Sequence, residues 1–267
     1  MATIAETKKL VVLPTGKETI SFSELSIWGN CSFKHKLKYI DKIDLEKDNE
    51  FPVFGKAIHA SCENFLQTRI MDKLICIEYL KKEWIKLAFE NVEDWIKIAE
   101  NVLEEIPDFL NKNFPNWEYV SAEEQLYEPI KGFEHIKFKG FIDAIIKVKD
   151  ENGLDVYWII DWKTATFWSK YKKSDPLVRS QLVYYKNLWS VKKNIPIKQI
   201  KCAFILLKRK GTKGKLCELV PVSAGTLSSD RAFYSIENMV YALNNGRFLK
   251  NKINCKFCPY AETSYCP

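Results

Sequence analysis

Several features that would define a protein class at once are missing from this sequence of 267 residues. No apolar run approaches the roughly 20 residues that span a bilayer, and near the start only the short run LVVL is apolar, which is not a signal peptide. Internal repeats, low-complexity linkers and the phosphate-binding loop G-x-x-x-x-G-K-[ST] are also missing. These absences predict a cytoplasmic protein with no membrane partner that is neither a repeat protein nor a P-loop NTPase. We expect residues 1–267 to form a single domain.

The composition is that of a globular protein with a mild basic excess. Lys and Arg number 41 against 34 Asp and Glu, a net charge of +7, which is compatible with a polyanionic partner but does not require one. The chain has eight cysteines, and because disulfides are rare inside cells we interpret them as buried thiols or metal ligands. Cys62, Cys76, Cys202 and Cys217 lie in helical or strand patterns and are predicted to be core thiols.

Helical and strand patterns follow one another in an order typical of an α/β protein. Helical spacing dominates the first part of the chain, and the segment 72–114 is predicted to be an all-helical insert. The segments IKFKGFIDAIIKV and LDVYWIIDWKTA, joined by the turn KDENG, are predicted to be neighbouring strands of a β-meander. A helix, a strand pair and a last helix complete the order. The pattern predicts a mixed β-sheet flanked by helices.

Two aspartates lie in strands that otherwise have the apolar pattern of buried strands, Asp143 in GFIDAII and Asp161 in WIIDWKT. A buried carboxylate without a partner costs several kcal/mol or becomes protonated, and a bound cation removes this cost. Because side chains alternate along a strand, Asp161 and Lys163 share one face about 7 Å apart, and Asp143 can be their cross-strand neighbour. Two carboxylates suit Mg²⁺ or Mn²⁺, and the lysine can hold a phosphate oxygen or orient water. This set predicts phosphodiester hydrolysis; the alternative is a buried salt bridge that only shapes the fold.

Further motifs on either side of the two aspartates carry a family resemblance. The stretch FGKAIHASCENF precedes the meander and places Gly55 and His59 in a G-x-x-x-H motif, and QLVYY follows it with Gln181 and Tyr185. Together with GFIDAI and YWIIDWKTA, these motifs resemble the PD-(D/E)XK nuclease superfamily, and within it the RecB-type exonucleases. The resemblance runs from about Ser21 to Cys266 and implies a restriction-endonuclease-like fold.

The resemblance assigns metal binding and catalysis to five matching positions. His59, Asp143 and Asp161 would bind the metal ion together with the backbone carbonyl of Trp162, and Lys163 would be the catalytic lysine. A helical histidine beside an apolar stripe is otherwise a common core residue. The spacing of the glycine and the paired aspartates favour the metal-binding interpretation.

The resemblance also implies supporting residues around this centre. Gln181 and Tyr185 would orient the site and the DNA strand, although ordinary helix packing would equally account for them. Glu124 lies where related sequences often carry a glutamate, and the adjacent Glu123 leaves the exact position open between the two.

The end of the chain, NCKFCPYAETSYCP, concentrates Cys255, Cys258 and Cys266. Three cysteines in a polar terminal segment have no packing reason, so we predict a metal site. In the iron–sulfur exonucleases that the chain resembles (the AddB-type helicase–nucleases and CRISPR-associated exonucleases), an early cysteine joins a C-terminal trio, and Cys31 lies at that position. The resemblance favours a 4Fe-4S cluster, while four cysteines could equally hold zinc. Such a site would make residues 250–267 and Cys31 a metal-cluster clasp.

Basic residues interleave with aromatic residues just after the second aspartate. The stretch WKTATFWSKYKKS contains Lys170, Lys172 and Lys173 beside several rings, and the stretch KRKGTKGK is a second basic cluster. Rings that stack on bases and lysines that contact phosphates suit single-stranded DNA without sequence preference. A solvated loop with a buried tryptophan is the alternative.

These observations lead to three functional hypotheses. The first is a metal-dependent DNA exonuclease that prefers single strands or DNA ends. The second is a non-catalytic DNA-binding or assembly module with the same fold, and the third a zinc-stabilised structural protein. Since the chain lacks a helicase phosphate loop, it would act on exposed ends or beside a helicase, recombination or CRISPR-adaptation protein, and a phage origin would fit its small size.

Overall fold

The computed structural model describes residues 13–267, in which helices precede, separate and follow the strands of a mixed β-sheet. The elements in chain order are β1 (Thr19–Ser21), α1 (Phe22–Asn30), α2 (Ser32–His35), α3 (Glu50–Thr68), α4 (Lys73–Leu87), α5 (Val92–Asn113), β2 (Glu118–Ile130), β3 (Phe133–Lys149), β4 (Asp155–Ala165), α6 (Lys170–Ser174), α7 (Pro176–Lys193), β5 (Ile200–Lys208), β6 (Cys217–Val222) and α8 (Thr226–Asn244). Short turns of π-helix (Lys36–Ile40) and 3-10 helix (Ile197–Gln199 and Lys252–Phe257) also occur. Along this part of the chain no helix is both long and apolar enough to cross a membrane.

The strands of the described residues form a mixed sheet in the order β1-β3-β4-β5-β6, with β2 paired to β3. The pairs β1–β3 and β4–β5 are parallel, whereas β3–β4 and β5–β6 are antiparallel. The antiparallel register of β3 and β4 pairs Ala144 with Ile160, so the strands that carry Asp143 and Asp161 are neighbours. The predicted α/β class with a mixed sheet and flanking helices is confirmed.

The chain divides into two compact units. The terminal unit contains the described residues up to Glu46 together with Tyr127–Gly140 and Phe233–Pro267, and the central unit contains Lys47–Leu126 and Phe141–Ala232. Each unit is described separately below. The organisation of the chain as a single domain stays a prediction, as does the assignment of 72–114 as an insert, a segment in which the structure has α4 and α5.

Backbone capping organises the start of the terminal unit. Ser21 caps α1, since its Oγ accepts a hydrogen bond from the N–H of Glu24 at 3.2 Å. Cys31 then ends α1 and begins α2, and its Sγ accepts a hydrogen bond from the N–H of Lys34 at 3.4 Å. The thiol therefore lies at a fixed corner between two helices.

The core of the central unit is a layer of helices on one face of the sheet. Helices α3, α4 and α5 supply apolar side chains such as Phe54 and Ile58, which pack in one cluster with Ile160 and Trp162 of β4. Because side chains alternate along a strand, Asp161 and Lys163 point to the opposite face, where α7 contacts β4. Asp161 is buried there with only 1% of its surface exposed.

Candidate active site

A glycine on α3 allows this helix to approach the central strand closely. A Cβ at Gly55 would lie 3.3 Å from the Oγ1 of Thr164 on β4, tighter than most real contacts. Four residues later, about one helical turn, His59 projects from the same side of α3. The spacing of the G-x-x-x-H motif thus has a physical reason: the glycine sets the helix–strand distance at which the histidine meets the carboxylates.

The carboxylate of Asp143 lies between the histidine and the backbone of β4. Its Oδ2 accepts a hydrogen bond of 2.8 Å from the N–H of Trp162 and lies 3.7 Å from the Nδ1 of His59. The ring of His59 also hydrogen-bonds to the backbone of Trp162. The structure therefore brings together His59, Asp143 and the backbone of Trp162, three of the four groups that the resemblance assigns to the metal ion.

Asp161 is held from two directions by predicted site residues. The Nζ of Lys163 lies 2.6 Å from its Oδ2, and the Nε2 of Gln181 donates to its Oδ1 at 2.6 Å. The same Nε2 contacts the hydroxyl of Tyr185 at 3.2 Å. Gln181 and Tyr185 are separated by one turn of α7, so the Q-L-x-x-Y spacing places both side chains on one helix face over the aspartate.

Glu123 joins the site, whereas the neighbouring Glu124 points elsewhere. Ligand atoms of His59, Glu123 and Asp143 lie within 4.8 Å of one another. Glu124 instead forms ion pairs with two lysines of α7, Lys192 at 2.8 Å and Lys193 at 3.1 Å. The backbone of Glu123 has φ +48°, a left-handed conformation that breaks the alternation of β2. Nothing in the doublet itself signals this break, which is why the sequence could not separate the two glutamates.

The pKa shifts in the site are those expected for carboxylates that are buried close together. Burial and the charge of Asp161 raise the pKa of Asp143 well above its usual range. Burial, followed by the charges of Glu63 and Asp161, raises the pKa of Glu123. Burial lowers the pKa of His59, which favours the neutral ring that can bind a metal ion. Oxygen donors with one imidazole fit a hard or borderline divalent cation.

The ammonium of Lys163 keeps its charge in this environment. Burial opposes that charge, but Asp161 and Asp143 outweigh it, and the net effect raises the pKa of the lysine. Its side chain remains about one-third exposed, so the ammonium can reach a substrate oxygen while it contacts Asp161. The geometry thus combines a cation-binding set with an adjacent fixed positive charge.

The four cysteines of the predicted clasp lie in the terminal unit. Chain segment 249–251 contacts Cys31, whose Sγ accepts from the N–H of Asn251 at 3.5 Å and lies 3.7 Å from the carbonyl oxygen of Leu249. Further along, the N–H of Cys258 donates to the carbonyl of Cys255 at 3.0 Å. All four clasp cysteines, which are Cys31, Cys255, Cys258 and Cys266, are free and partly exposed. Their donor chemistry fits zinc or an iron–sulfur cluster.

Three of the remaining four cysteines are core thiols, whereas Cys217, predicted with them, is partly exposed. Cys62 and Cys76 are fully buried, and Cys202 is 3% exposed. Burial raises the pKa of Cys62 well above its usual value and brings those of Cys76, Cys202 and Cys217 to about 12. Such thiols stay protonated and are poor metal ligands.

The aromatic and basic stretch after β4 is only partly available to a ligand. Trp162 is buried at 2% exposure, and Trp168 packs against Phe204 with ring centroids 5.3 Å apart. Phe167 and Tyr171 are by contrast 70% and 88% exposed. The solvent-facing rings of this stretch are therefore fewer than the sequence suggested.

The three lysines predicted beside these rings differ in their contacts. Lys173 is in an ion pair with Glu218. The Nζ of Lys172 lies 5.8 Å from the ring centroid of Trp168, and Lys170 is exposed at the start of α6. Lys170 and Lys172 therefore remain exposed beside Tyr171.

In this mixed sheet Asp143 and Asp161 lie on neighbouring strands, His59 lies beside Asp143, and Lys163 lies beside Asp161. The sequence model of the PD-(D/E)XK nuclease superfamily matches residues 19–267. The chain belongs to this superfamily.

One solved structure agrees with this assignment of the fold. The structure is similar to a protein from Eubacterium rectale described as "Putative exonuclease", with a TM-score of 0.59, 13% sequence identity and coverage of 100% of this chain and 96% of the other. A second solved structure, SSO0001, has a TM-score of 0.44 and 16% identity over 91% of this chain and 84% of the other. None of the curated proteins matches the sequence. The similarity to the first structure confirms the predicted restriction-endonuclease-like fold.

Proposed function

We propose that the chain is a Mg²⁺- or Mn²⁺-dependent deoxyribonuclease that acts as an exonuclease on single-stranded DNA or on DNA ends. The observation that carries this proposal is the environment of Asp161. It lies on β4, the strand next to the one that carries Asp143, and it contacts Lys163 and Gln181. A buried salt bridge that only shaped the fold would not need a histidine and a second carboxylate beside it. The name of the Eubacterium rectale protein also supports an exonuclease.

The residues of the site fit a divalent cation. His59, Asp143, Asp161 and the carbonyl of Trp162 would hold it. Of these side chains, His59 and Asp143 have ligand atoms within 4.8 Å of each other and of Glu123, a group that does not include Asp161. When bound, such an ion supplies Lewis-acid chemistry, which polarises a phosphodiester and acidifies water.

The protein's own side chains provide positioning and charge. Lys163 places a positive charge where it can hold a phosphate oxygen or orient the attacking water. Gln181 fixes Asp161 through Oδ1, and Tyr185 in turn contacts the amide of Gln181. This arrangement restrains the rotation of Asp161, so its carboxylate is oriented before substrate binds.

Contacts with a single strand are part of the same proposal. The exposed rings of Phe167 and Tyr171 follow directly on the strand that carries Lys163, and they are accompanied by Lys170 and Lys172. Exposed rings stack on bases of any sequence, and nearby lysines contact phosphates. A helicase, recombination or CRISPR-adaptation protein as partner, and a cytoplasmic location, also belong to this proposal.

We further propose that Cys31, Cys255, Cys258 and Cys266 hold a 4Fe-4S cluster, as in the RecB-type branch that the sequence resembles. The contact of segment 249–251 with Cys31 supports this pairing of an early cysteine with the tail. A single tetrahedral zinc ion would hold its sulfurs about 3.8 Å apart. In the part of the chain that the structure describes, no three cysteine sulfurs lie within 4.8 Å of one another, so the choice of the 4Fe-4S cluster over zinc rests on the family resemblance.

A nuclease assay tests the proposed activity. Single- and double-stranded DNA labelled at the 5′ or 3′ end is incubated with Mg²⁺ or Mn²⁺ and the wild type or the Asp161→Asn variant. We expect stepwise shortening of single strands by the wild type and a loss of about a thousandfold or more in the variant. Asp150→Asn, which changes a turn carboxylate in the same unit, is the matched control and should stay active.

The same assay can reject the proposal. If the wild type leaves every labelled DNA intact with both metals, the nuclease proposal is wrong. Binding of DNA without cleavage would instead support the non-catalytic module. Cleavage that persists in Asp161→Asn would place the active site elsewhere.

A further inference from the structure

The carboxyl ends of two parallel strands meet beyond the proposed catalytic residues. Strands β4 and β5 are parallel in a register that pairs Asp161 with Phe204 and Ala165 with Lys208. Arg209 follows directly, and its N–H donates to the carbonyl of Ala165 at 2.9 Å. In sheets with parallel strands, ligands bind beyond such carboxyl ends, so Arg209 lies at the edge where a substrate is expected.

The side chain of Arg209 is held by aromatic rings. Its guanidinium carbon lies 4.1 Å from the ring centroid of Phe51 and 5.9 Å from that of Trp95. The two rings also contact each other edge to face, with centroids 5.7 Å apart. Phe51 is nevertheless 50% exposed. A guanidinium that stacks on a ring keeps its N–H edge free for a planar anionic partner.

Two nearby lysines, Lys208 and Lys213, are paired with carboxylates, but Arg209 is not. Lys208 pairs with Glu218 at 2.8 Å, and Lys213 pairs with Glu104 at 3.0 Å. Among residues 13–267, Arg209 makes no ion pair with a carboxylate. A partly buried cation without a counter-ion is costly, and a phosphate group would supply the missing charge.

The distance between Arg209 and the proposed catalytic residues can be estimated along helix α3, which carries both Phe51 and His59. Phe51 lies in its first turn and His59 eight residues later, which corresponds to about 12 Å along the helix axis. A DNA strand whose reacting phosphate lies beside His59 therefore reaches Arg209 only if the DNA continues past the reacting bond. A dinucleotide would not span this distance, whereas a longer strand would.

We propose that Arg209, backed by Phe51 and Trp95, is a phosphate-binding subsite for the substrate strand beyond the reacting bond. The guanidinium forms paired hydrogen bonds with phosphate oxygens, and the exposed part of the Phe51 ring receives an adjacent base. The inference rests on the proposed function, since it assumes a polynucleotide in the neighbouring site. It adds a reason for substrate length to matter: Arg209 contributes only to strands long enough to contact it.

Binding measurements test the subsite independently of catalysis. Fluorescent oligothymidylate is titrated with wild type, Arg209→Gln and Lys86→Gln in EDTA, where metal-dependent cleavage does not occur, at several salt concentrations. We expect Arg209→Gln to weaken binding and to reduce the slope of log affinity against log salt by about 0.7, the value for one phosphate contact on a single strand. Lys86→Gln removes the same charge from a paired lysine on α4, outside both basic stretches, and should leave the slope unchanged. An unchanged slope in Arg209→Gln, or no binding by the wild type, overturns the subsite.

Cleavage rates on strands of increasing length complete the test. Arg209→Gln should lose kcat/KM on long oligothymidylates and match the wild type on the dinucleotide, and Arg209→Lys should recover part of the loss because it restores the charge. An equal loss on both lengths would contradict the subsite and indicate a structural role. If the wild type cleaves nothing, the proposed function fails, while the binding experiment still decides the role of Arg209.

Discussion

The two groups of residues that we propose bind metals are built in opposite ways. In the central unit, His59, Asp143 and Asp161 project from a long helix and two paired strands, so secondary structure fixes them before any ion binds. In the terminal unit, Cys31 lies at a corner between two helices and Cys255 in a 3-10 turn. The first group offers hard oxygen and nitrogen donors and the second offers soft sulfur.

This difference indicates how far each group would be formed before its metal binds. The carboxylates are held by hydrogen bonds to the backbone and to Gln181, so the cation would bind a site that already exists. The cysteines belong to segments far apart in the chain, and metal binding would supply much of the free energy that keeps these segments together. We therefore expect substitutions in the first site to reduce activity and substitutions in the second to reduce the stability of the fold.

The largest effect that would test this comparison is expected at Cys31. Replacement by serine keeps a side chain that can cap α2, because serine is a good helix N-cap, but it removes the soft ligand. We expect Cys31→Ser purified without oxygen to lose nearly all of its iron and the visible absorption of the cluster, and to unfold at lower temperature. Iron and sulfide analysis with a thermal melt measures both.

Two variants serve as controls for this result. Cys62→Ala removes a buried thiol of the central unit and should retain the wild-type iron content. Asp161→Asn should lose activity but keep its iron, since the carboxylate site and the cysteines would bind their metals independently. Full iron content in Cys31→Ser would show that the fourth ligand of the cysteine tail lies elsewhere.

Much of the central site could be predicted from sequence because its signals are local. An aspartate within an apolar strand stands out, and the alternation that aligns Asp161 with Lys163 depends only on strand geometry. The same alternation places Trp162 on the opposite face, and the structure buries it. The strand pattern therefore predicts that Trp162, the first ring of the aromatic and basic stretch, cannot stack on DNA.

Other parts of the site depend on contacts that no local pattern contains. The ion pair of Lys173 with Glu218 requires the position of β6 relative to α6, which the sequence does not specify. The contact of Arg209 with Phe51 joins residues from the end of β5 and the start of α3. Long-range pairs of this kind follow from the tertiary packing of elements whose individual patterns were correctly predicted.

A matched pair of glutamates tests how tightly the central site is defined. Glu123 lies with His59 and Asp143, whereas Glu124 pairs with Lys192. We expect Glu123→Gln to raise the Mn²⁺ concentration needed for half-maximal activity about ten- to a hundredfold, as is typical when a residue that supports a metal site is lost. Glu124→Gln should leave the metal dependence unchanged and cost at most about 1 kcal/mol of stability.

Metal titrations of the two variants, with thermal melts alongside, separate these outcomes. Because the substitution is chemically identical and the positions are adjacent, a difference between the variants reflects the direction of the side chain. The opposite result, in which Glu124→Gln loses metal affinity and Glu123→Gln does not, would restore the assignment of the family glutamate to Glu124.

The smallest effect that we predict concerns the close packing that positions His59. In Gly55→Ala the new methyl group would meet Thr164 at 3.3 Å, so α3 must shift by a few tenths of an ångström unless the threonine moves. The alanine favours the helix by about 1 kcal/mol, which should keep the protein folded. Since a misplacement of about 1 Å can cost a hundredfold in rate, we expect a loss of roughly three- to tenfold in kcat.

Two further variants distinguish packing from a general effect of the substitution. Thr164→Ala combined with Gly55→Ala removes the opposing Oγ1 and should recover most of the lost activity. Gly225→Ala places the same methyl group where the structure has no atom within 4 Å and should be fully active. If Gly55→Ala were as active as the wild type, close approach of α3 would not control His59, and the central site would be less rigid than its comparison with the cysteine group implies.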